Sequence, residues 1–304
     1  MKKTTLGIIT INYNRLDDTL ELLESLSKAI IPKGLTVKIY VIDNNSIDKP
    51  NAVIHKKFPT VNIINTDTNL GFTGGNNLGI NRGLSDSCNY LVLINNDCFV
   101  GKDFYEKILA SPISDPKVGI VSGLIYFAPG FEFEKGYLKK DLGKVIWYGG
   151  GFFDWANVLG SHRFVNQVDD GKLQTSGTDF VSGALLITKS DVIKKIGLFD
   201  DRYFLYLEDA DLCRRVKLAG FQLMFDPRIK IWHKVAGSSG IGSPLNDYYI
   251  TRNRLLFGSL YTPPRTRFAL FREALRKLLA GTPAQKRAII DYFSNHLGKG
   301  SFVK

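Results

Sequence analysis

Short apolar, β-branched runs alternate with amphipathic segments through the first third of this 304-residue chain. The predicted strands are residues 6–11, 36–42, 61–64 and 90–94, with helical spacing between them at 16–26, at 51–58 and up to Gly83. Strands and helices that alternate at this spacing are typical of a parallel α/β sheet. Ligands of such sheets collect beyond the carboxyl ends of the strands, so polar residues that follow a strand are the first candidates for a site.

The pattern changes after Gly101, where a mixture of strands and helices is expected. We predict strands at 117–126, 179–188, 221–225 and 229–232, an irregular insert at 127–141, a hairpin at 145–153 and a helix at 190–196. Three more helices are predicted at 248–260, 267–279 and 284–297. We therefore expect one α/β domain over residues 1–250, with halves at 1–98 and 99–250, followed by a helical tail at 251–304.

Positive charge is concentrated in that tail. The whole chain has a formal net charge of +11, and residues 251–304 hold eleven Lys or Arg against two acids. A uniformly basic protein would indicate nucleic-acid binding, whereas a nearly neutral body with a basic tail indicates an attachment surface. No apolar run approaches the roughly 18 residues of a membrane-spanning helix. Three cysteines without metal-type spacing favour a reducing compartment.

Two polar stretches in the first half are candidates for ligand binding. Asp43 follows a predicted strand and leads into Asn45, and a carboxylate there can accept hydrogen bonds from a pyrimidine base. The alternative is a capping turn. A predicted loop holds Gly74, Gly75 and Asn76, and glycines let backbone N–H groups approach an anion at the start of a helix. The alternative for this loop is a plain tight turn.

The strand at 90–94 ends in Asn95, Asn96 and Asp97. An acid at the end of a buried strand, preceded by two small amides, suits a divalent cation that bridges phosphate oxygens. The alternative is a strand-to-helix turn. His233 ends the last predicted strand, and we expect it to join a cation site only if the fold brings it to Asp97.

A second acidic cluster follows an apolar run in the second half: Glu208, Asp209 and, after one alanine, Asp211. Acids at a helix start interact favourably with the helix dipole, which would account for all three without any chemistry. Asp211 has Arg214 and Arg215 three and four residues further on, so a helix-surface ion pair is expected for it. That leaves Glu208 and Asp209, because apolar neighbours can tune a carboxyl group as a general base.

Taken in order, these motifs resemble the family 2 glycosyltransferases, inverting nucleotide-sugar enzymes of the GT-A fold, and within them the rhamnosyltransferase-like bacterial branch. The matching pieces are residues 10–15, 41–46, 69–79, 95–97, 183–186 and 197–220, with His233, Arg252 and Asn253. The resemblance covers about residues 5–257. It implies a Rossmann-like nucleotide-binding half with a mixed sheet, an acceptor-side extension and C-terminal helices.

The resemblance also implies roles for individual residues. Asp209 matches the acid that acts as catalytic base, with Glu208 beside it. Asp97 and His233 would hold a divalent metal, Mg²⁺ or Mn²⁺, although an asparagine at position 95 leaves fewer anionic ligands than the family's aspartate. The residues expected to bind the nucleotide sugar are Thr10, Asn12, Asn14, Asp43, Asn45, Gly74, Gly75, Asn76, Asn95, Asn96 and Arg252.

On this resemblance we expect a dTDP- or UDP-linked sugar, such as rhamnose, to be transferred to a polyprenyl-diphosphate-linked saccharide in bacterial surface polysaccharide synthesis. Inverting transfer needs one base and positive charge on the departing diphosphate, so no second catalytic carboxylate is required. The competing enzyme class is a nucleotidyltransferase, which would release pyrophosphate. The competing non-enzyme class is a basic nucleic-acid-binding module, although we expect no nucleic-acid partner.

The tail is expected to hold the protein on a membrane surface. Its middle helix has Phe268, Phe271, Leu275 and Leu278 on one face and arginines at the edge, a pattern typical of helices that lie in a lipid interface. We therefore expect a cytoplasmic protein, peripheral on the inner face of the cell membrane. The alternatives are a helical cap on the domain and a dimer contact.

Overall fold

A ten-stranded mixed sheet forms the centre of the molecule, and the computed structural model describes residues 3–235 and 242–302. The strands are β1 (Thr4–Asn12), β2 (Leu35–Asp43), β3 (Asn62–Asn65), β4 (Tyr90–Ile94), β5 (Cys98–Val100), β6 (Val118–Phe127), β7 (Ile146–Tyr148), β8 (Gly151–Asp154), β9 (Leu159–His162), β10 (Ser176–Gly177), β11 (Leu185–Lys189) and β12 (Gln222–His233). The helices are α1 (Leu16–Lys28), α2 (Asn51–Lys57), α3 (Gly71–Ser85), α4 (Phe104–Leu109), α5 (Ser190–Ile196), α6 (Glu208–Leu218), α7 (Pro244–Tyr261), α8 (Pro264–Ala280) and α9 (Pro283–Phe293). Residues 1–2 and 236–241 of the predicted domain, and the last two of the predicted tail, lie outside the described residues.

The strand order across the sheet is β10-β12-β6-β11-β4-β1-β2-β3, with β5 paired to β12 and β7 paired to β6. The first four strands run parallel, which confirms the alternation predicted for the first half. β11 is antiparallel to both of its neighbours, and β6 and β12 are parallel to each other. The carboxyl ends of β1, β2, β4, β6 and β12 therefore lie along one edge, where the register sets Asn12 beside Asp43.

Apolar residues line both faces of the sheet, as expected of strands that are covered on each side. Neighbouring residues of β1 point to opposite faces. Ile9 joins the cluster that contains Ile80 of α3, and Ile8 joins the cluster that contains Leu22 of α1. All ten residues of β6 are buried, so this strand of the second half is covered on both faces as well.

The prediction of a glycine-rich loop is wrong, because most of this segment is helical. α3 begins at Gly71 and continues through the glycines that follow. A Cβ at Gly75 would lie 2.8 Å from Cδ1 of Ile11, and one at Gly79 would lie 2.3 Å from Cγ2 of Ile9. The glycines therefore let α3 lie directly on β1, and this close contact outweighs their low helix propensity.

Two predictions around the middle of the chain are wrong in detail. The hairpin expected at 145–153 is two strands with different partners, since β7 pairs with β6 and β8 forms a hairpin with β9. The strand expected at 179–188 begins only at Leu185, because the residues before it turn toward α6. The short elements β5 and α4 were not predicted.

The two strands expected at 221–225 and 229–232 are one strand, β12. Its register against β6 shifts between Asp226 and Lys230, where extra residues interrupt the ladder. Irregularities of this kind bend a strand without ending it. The shift explains why the alternation of apolar residues breaks off in the sequence while the pairing continues to His233.

α7, α8 and α9 form a helical layer that is continuous with the α/β body. Nine residues of α7 are buried, and Leu255, Leu256 and Phe257 join the core cluster on the α3 side of the sheet. The predicted domain boundary at 250/251 therefore falls inside a helix that belongs to the core, and the one at 98/99 falls inside β5. Within the described ranges, every helix is too short or too polar to cross a bilayer.

Candidate active site

The carboxyl ends of β1 and β2 carry a buried hydrogen-bonded network around Asn12. Its Nδ2 donates to Oδ1 of Asp43 at 3.1 Å and to Oγ of Ser46 at 2.9 Å, and its Oδ1 accepts from the hydroxyl of Thr19 at 2.8 Å. Two residues predicted to bind the nucleotide are thus neighbours. Asn12 fixes the orientation of the Asp43 carboxylate and leaves its second oxygen for another donor.

The asparagines at the rim of this network adopt left-handed backbone conformations. Asn14 has a φ of 54° and Asn45 a φ of 63°, and asparagine is among the few non-glycine residues that enter this region readily. Oγ of Ser46 accepts from the backbone N–H of Asn14 at 3.0 Å. Both asparagines are exposed, so they lie at the surface beside Asn12 and Asp43.

Asn44 links the network to the start of α3, a role that the sequence prediction missed. Its Nδ2 donates to Oδ1 of Asn69 at 3.0 Å and to the carbonyl of Gly71 at 3.1 Å, and its Oδ1 accepts from the backbone N–H of Leu70 at 2.9 Å. Asn44 is buried, so both ends of its amide are satisfied within the protein. Its place in the polar stretch after β2 was the available signal, but its partners lie about 25 positions away along the chain.

Three of the predicted nucleotide-binding residues lie within α3, where local contacts already account for them. A Cβ at Gly74 would lie 2.8 Å from Cβ of Leu70, and Gly75 lies against β1. Asn76 is buried and donates from Nδ2 to the carbonyl of Phe72 at 2.9 Å. Their role toward a nucleotide sugar stays a prediction.

Thr10 differs from these residues because its side chain has an unmet hydrogen-bonding need. The threonine is buried near the end of β1, and its hydroxyl has no hydrogen-bond partner within residues 3–235 and 242–302. Buried polar groups are normally paired, and one that is not can be satisfied by a ligand or water. This observation favours the prediction that Thr10 contacts the nucleotide.

The short strand β5 brings His233 to Asp97. After β4 the chain turns through Asn95 and Asn96, and β5 then pairs with β12 so that Cys98 lies opposite His233. As a result, Nε2 of His233 lies 3.0 Å from Oδ1 of Asp97. The condition that the sequence set for His233 is therefore met, through a strand that was not predicted.

Asn96 ties this turn to the network around Asn12. Its Nδ2 donates to Oγ1 of Thr19 at 3.0 Å, and the same hydroxyl donates to Asn12. The backbone N–H of Asn95 donates to the carbonyl of Ala184 at 3.2 Å. The turn at 95–97 is thus held on one side by the nucleotide-binding half and on the other by the chain that leads into β11.

Burial and charge act in opposite directions on Asp97. Burial, the largest single influence, favours the neutral acid, but the nearby His233, a backbone N–H group and the charge of Arg15 together outweigh it and hold the pKa of Asp97 below its usual value. Trp147, which was not predicted, packs edge-on between His233 and His162, with ring centres 4.6 and 4.4 Å away. Burial lowers the pKa of His162 to about 4, so this second histidine is neutral.

These residues fit a divalent cation. Apart from the contact with Nε2 of His233, Oδ1 of Asp97 has no hydrogen-bond partner in the described part of the chain, and a buried carboxylate oxygen is costly unless a cation or a donor satisfies it. Two ligand atoms at right angles on one ion, each about 2.1 Å from it, would be about 3 Å apart, which is the separation of Oδ1 and Nε2. Sγ of Cys98 lies within 4.8 Å of both atoms. Burial raises the pKa of that thiol well above its usual value, so it is protonated and a poor third ligand.

Glu208 and Asp209 open α6 beside the turn at 95–97. Oδ2 of Asp209 accepts from the backbone N–H of Gly183 at 3.0 Å, and the next residue, Ala184, accepts from the backbone of Asn95. The predicted base and the predicted cation motif therefore meet on two consecutive residues at the same edge of the sheet.

Burial raises the pKa of both carboxyl groups. For Glu208, burial and the neighbouring charge of Asp209 raise the pKa well above the usual value, and Oε2 has no hydrogen-bond partner among the described residues. For Asp209, burial raises the pKa while the backbone N–H groups of Gly183 and Ala210 oppose the rise. The strongly raised pKa of Glu208, beside an Asp209 carboxyl whose charged form is stabilised by two donors, gives the two groups different chemistry.

Asp211 pairs with Arg215, one of the two arginines expected as its partner. The ion pair does not lie on the helix surface, however. The carboxylate of Asp211 is buried and accepts from Nε of Arg215 at 2.8 Å and from the hydroxyl of Tyr261 at 2.7 Å. Arg214 instead packs over the ring of Trp155 at 4.9 Å. Tyr261 belongs to α7, so the C-terminal layer holds the helix that carries Asp209.

The loop before α6 has a strained backbone. Phe204, Tyr206 and Leu207 have φ values of 65°, 69° and 69°, and left-handed conformations of bulky residues are rare outside functional sites. Surrounding contacts must hold such a loop in place. Because α6 starts directly after Leu207, the loop sets where Asp209 points.

Asn253 of α7 supplies the main contacts to this loop. Its Nδ2 lies 3.0, 2.8 and 2.8 Å from the carbonyl oxygens of Tyr203, Leu205 and Tyr206. Its Oδ1 accepts from Nε of Arg252, so the amide cannot turn over without losing partners on both sides. Asn253 is therefore a positioning residue for the acidic cluster. Only its place in the resemblance had marked it.

Arg252 has a different environment from the one expected of a nucleotide contact. It is fully buried, donates from Nη2 to the carbonyls of Arg202 and Tyr203 at 3.2 and 2.9 Å, and stacks on Tyr248 and Tyr249. These contacts give Arg252 a structural role, since it stabilises the same loop as Asn253. A role in binding the nucleotide sugar remains untested.

A cavity of about 650 Å³ lies away from this cluster. It is lined by Thr178, Lys217, Leu223 and neighbouring residues. Leu223 is near the start of β12, whereas His233 ends that strand, so the cavity is at the opposite end of the sheet. It contributes nothing to the acids or to the cation cluster.

Comparison with known proteins matches the sequence to a family. Residues 7–194 match the family model described as Glycosyl transferase family 2. The N-acetylglucosaminyl-diphospho-decaprenol L-rhamnosyltransferase of Mycobacterium tuberculosis is 24% identical over 249 residues, which are 77% of this chain and 78% of that protein. A 55-residue stretch is 34% identical to the rhamnosyltransferase WbbL of Escherichia coli and covers 18% of this chain and 21% of that protein.

Solved structures share the fold at low sequence identity. GalNAc-T7 with UDP, GalNAc and Mn²⁺ has a TM-score of 0.67 at 17% identity over 95% of this chain, and the chain spans about half (54%) of its length. The mannosyltransferase PcManGT from Pyrobaculum calidifontis, in complex with GDP-Man and Mn²⁺, has a TM-score of 0.55 at 15% identity over 98% of this chain and 76% of its own. The architecture is therefore the GT-A fold that was predicted.

Proposed function

The chain belongs to glycosyl transferase family 2, and on this premise we propose that it transfers a sugar from a nucleoside diphosphate to a hydroxyl group of a lipid-linked saccharide, with inversion at the anomeric carbon. The observation that carries the proposal is the meeting of Asp209 and the turn at 95–97 on Gly183 and Ala184. Inverting transfer needs a base for the acceptor and positive charge at the leaving diphosphate. The two motifs offer these functions at one edge of the sheet.

Asp209 is the proposed base. It takes the proton of the acceptor hydroxyl as that oxygen attacks the anomeric carbon, while the bond from this carbon to the diphosphate oxygen breaks. Burial raises the pKa of Asp209 and makes its carboxylate a stronger base, and the N–H groups of Gly183 and Ala210 keep it able to ionise. Glu208, whose pKa is strongly raised by burial, is proposed to stay protonated and to donate a hydrogen bond to the acceptor.

Asp97 and His233 are the residues proposed to hold a divalent cation at the leaving group. Such a cation, when bound, supplies positive charge that stabilises the departing diphosphate. An imidazole ligand favours Mn²⁺, because Mg²⁺ prefers oxygen ligands. The Mn²⁺ named with two of the structural relatives supports the same choice. Thr10, Asn12 and Asp43 are proposed to bind the nucleotide.

The proposed donor is dTDP-rhamnose, and a UDP-linked sugar is the alternative. The mycobacterial relative is named an L-rhamnosyltransferase that acts on N-acetylglucosaminyl-diphospho-decaprenol, which supports rhamnose and a polyprenyl-diphosphate-linked acceptor. An acceptor of this kind lies in a membrane. We therefore propose a cytoplasmic protein, peripheral on the inner face of the cell membrane, in the synthesis of a bacterial surface polysaccharide.

A transfer assay tests this proposal. The protein is incubated with Mn²⁺, polyprenyl-diphosphate-linked N-acetylglucosamine and either dTDP-rhamnose or a UDP-sugar. We expect one nucleoside diphosphate released for each sugar transferred, and a product whose anomeric configuration by NMR is opposite to that of the donor. Release of pyrophosphate would identify a nucleotidyltransferase instead, and retention of configuration would overturn the inverting mechanism.

A further inference from the structure

An exposed apolar stripe runs along α8. Phe268, Phe271, Leu275 and Leu279 recur at spacings of three and four residues, which places them on one side of the helix. They are 61%, 44%, 45% and 84% exposed. Large apolar side chains are often exposed singly, but four in a row along one helix form a patch of the kind that marks an interaction surface.

The stripe is the outer side of α8, since the inner side is already occupied. Leu270 and Ala274 are buried within the core cluster beneath α7. α9 widens the exposed patch, because Phe293 meets Phe271 with ring centres 6.0 Å apart and is itself 54% exposed. The exposed patch therefore belongs to a well-packed helix, because the opposite side of α8 is buried against the core.

Unpaired positive charges flank the stripe. Arg265 precedes Phe268 by one turn, and Arg272 and Arg276 form a second row beside it; all three are exposed. None of these arginines has an acidic partner within the ranges that the structure describes. The one acid of α8, Glu273, is bound by Arg254 at 2.8 Å and by Lys277 at 2.6 Å.

We propose that the α8 stripe, with its flanking arginines, docks on an anionic lipid bilayer. The proposal rests on the proposed function and names the surface through which this protein would meet its membrane. Charge complementarity decides the partner: the apolar side chains enter the acyl boundary while the arginines contact lipid phosphates. A second copy of the chain is disfavoured, because a two-fold contact would set the same arginines against each other.

Vesicle co-sedimentation tests the docking surface with three variants of the full chain. The first replaces the apolar residues (Phe268→Ser, Phe271→Ser and Leu275→Ser). The second removes the charges (Arg265→Gln, Arg272→Gln and Arg276→Gln). The matched control changes an exposed apolar pair in the loop after α1 (Ile30→Ser and Ile31→Ser), which are 67% and 53% exposed. Thermal unfolding checks that each variant folds.

The wild-type protein should bind vesicles that contain phosphatidylglycerol and bind phosphatidylcholine vesicles far more weakly. Each arginine near an anionic surface contributes about 1 kcal/mol, so the charge variant should lose on the order of a hundredfold in partition coefficient. The apolar variant should lose binding as well, and the loop control should bind like the wild type. Undiminished binding by either stripe variant would overturn the proposal. So would a concentration-dependent wild-type dimer, seen by light scattering, that binds no vesicles and that the stripe variants abolish.

Activity on an acceptor with a short, water-soluble lipid separates this proposal from the proposed function. The stripe variants should transfer sugar to that acceptor at the wild-type rate, because no bilayer is needed. If they do so while binding vesicles like the wild type, only the docking surface is wrong. If the wild type itself transfers no sugar, the proposed function is wrong. The docking surface is then tested by the vesicle-binding results alone.

Discussion

The nucleotide-binding half and the acidic half of the site are built in opposite ways. Around Asn12 and Asn44, buried polar groups satisfy one another in closed hydrogen-bonded networks, with the hydroxyl of Thr10 as an exception. Around the acids and the cation cluster, buried Oε2 of Glu208 has no hydrogen-bond partner in the described residues, and Oδ1 of Asp97 has only the contact with Nε2 of His233. The difference indicates a rigid recognition surface on one side and groups held ready for a ligand or proton on the other.

The two halves also differ in how far along the chain their supports lie. Asn12 reaches residues 31 and 34 positions away, within the same βαβ unit. The loop before α6 is held by Asn253, 47 to 50 positions away in the C-terminal layer. The acidic half therefore depends on a helix outside the nucleotide-binding unit, so changes there should affect catalysis more than donor binding.

Apart from loss of the base itself, removal of His233 should have the largest effect among changes on the acidic side. His233→Ala takes away one of two proposed ligands, so transfer should slow by roughly 10²–10³-fold, the cost of one electrostatic donor at a reacting centre. The Mn²⁺ concentration for half-maximal activity should also rise. His162→Phe is the control, because it changes the other histidine beside Trp147 and should keep the wild-type Mn²⁺ response. Activity that is indifferent to chelators and to His233→Ala would show that transfer is metal-independent.

A pair of asparagine variants separates the two halves directly. Asn253→Leu removes the amide donor from three carbonyls of the strained loop, although Arg252 still donates to that of Tyr203, so kcat should fall by about tenfold or more while the donor Kd changes little. Asn44→Leu releases the start of α3 and should instead weaken donor binding with a smaller change in kcat. Calorimetry with a nucleoside diphosphate and steady-state kinetics measure both. If both variants alter the same parameter, the division into two halves is wrong.

Glu208→Gln should have the smallest effect. It should change the free energy of unfolding, by an amount that depends on pH. The raised pKa means that the folded protein binds this proton more tightly than the unfolded chain does, so wild-type stability falls as pH rises above the usual value of 4.5. The glutamine variant has no such loss. It should match the wild type near pH 4 and exceed it by about 1 kcal/mol or more at pH 7.5. Glu24→Gln, on the exposed side of α1, should show no such pH-dependent gain; equal pH profiles for wild type and Glu208→Gln would contradict a neutral Glu208.

The nucleotide-binding half could be predicted because its signals are local. Parallel strands covered on both faces give clear apolar runs, and these runs locate Asp43 at the end of β2 and Asp97 three residues after β4. The helical start of α3 could not be predicted in this way. Its glycines favour a loop until the side chains of Ile9 and Ile11, which lie more than 60 positions earlier in the sequence, are placed against them.

The acidic half could be predicted only as a list of residues. That Asp97 and His233 meet depends on β5, which is three residues long and has no pattern of its own. The positioning role of Asn253 depends on the path of α7 across the loop before α6. Short strands and contacts between distant segments are set by the assembled core, so the sequence pattern carries little trace of them.

The rate of the chemical step in Asp209→Asn tests the account most directly. Single-turnover transfer is measured with saturating donor, Mn²⁺ and acceptor, alongside the Kd for the donor. The substitution keeps the shape of the side chain and removes the base, so the rate should fall by about 10²–10⁴-fold while donor affinity stays within about threefold of the wild type. A rate near that of the wild type, or a loss confined to donor affinity, would contradict Asp209 as the base.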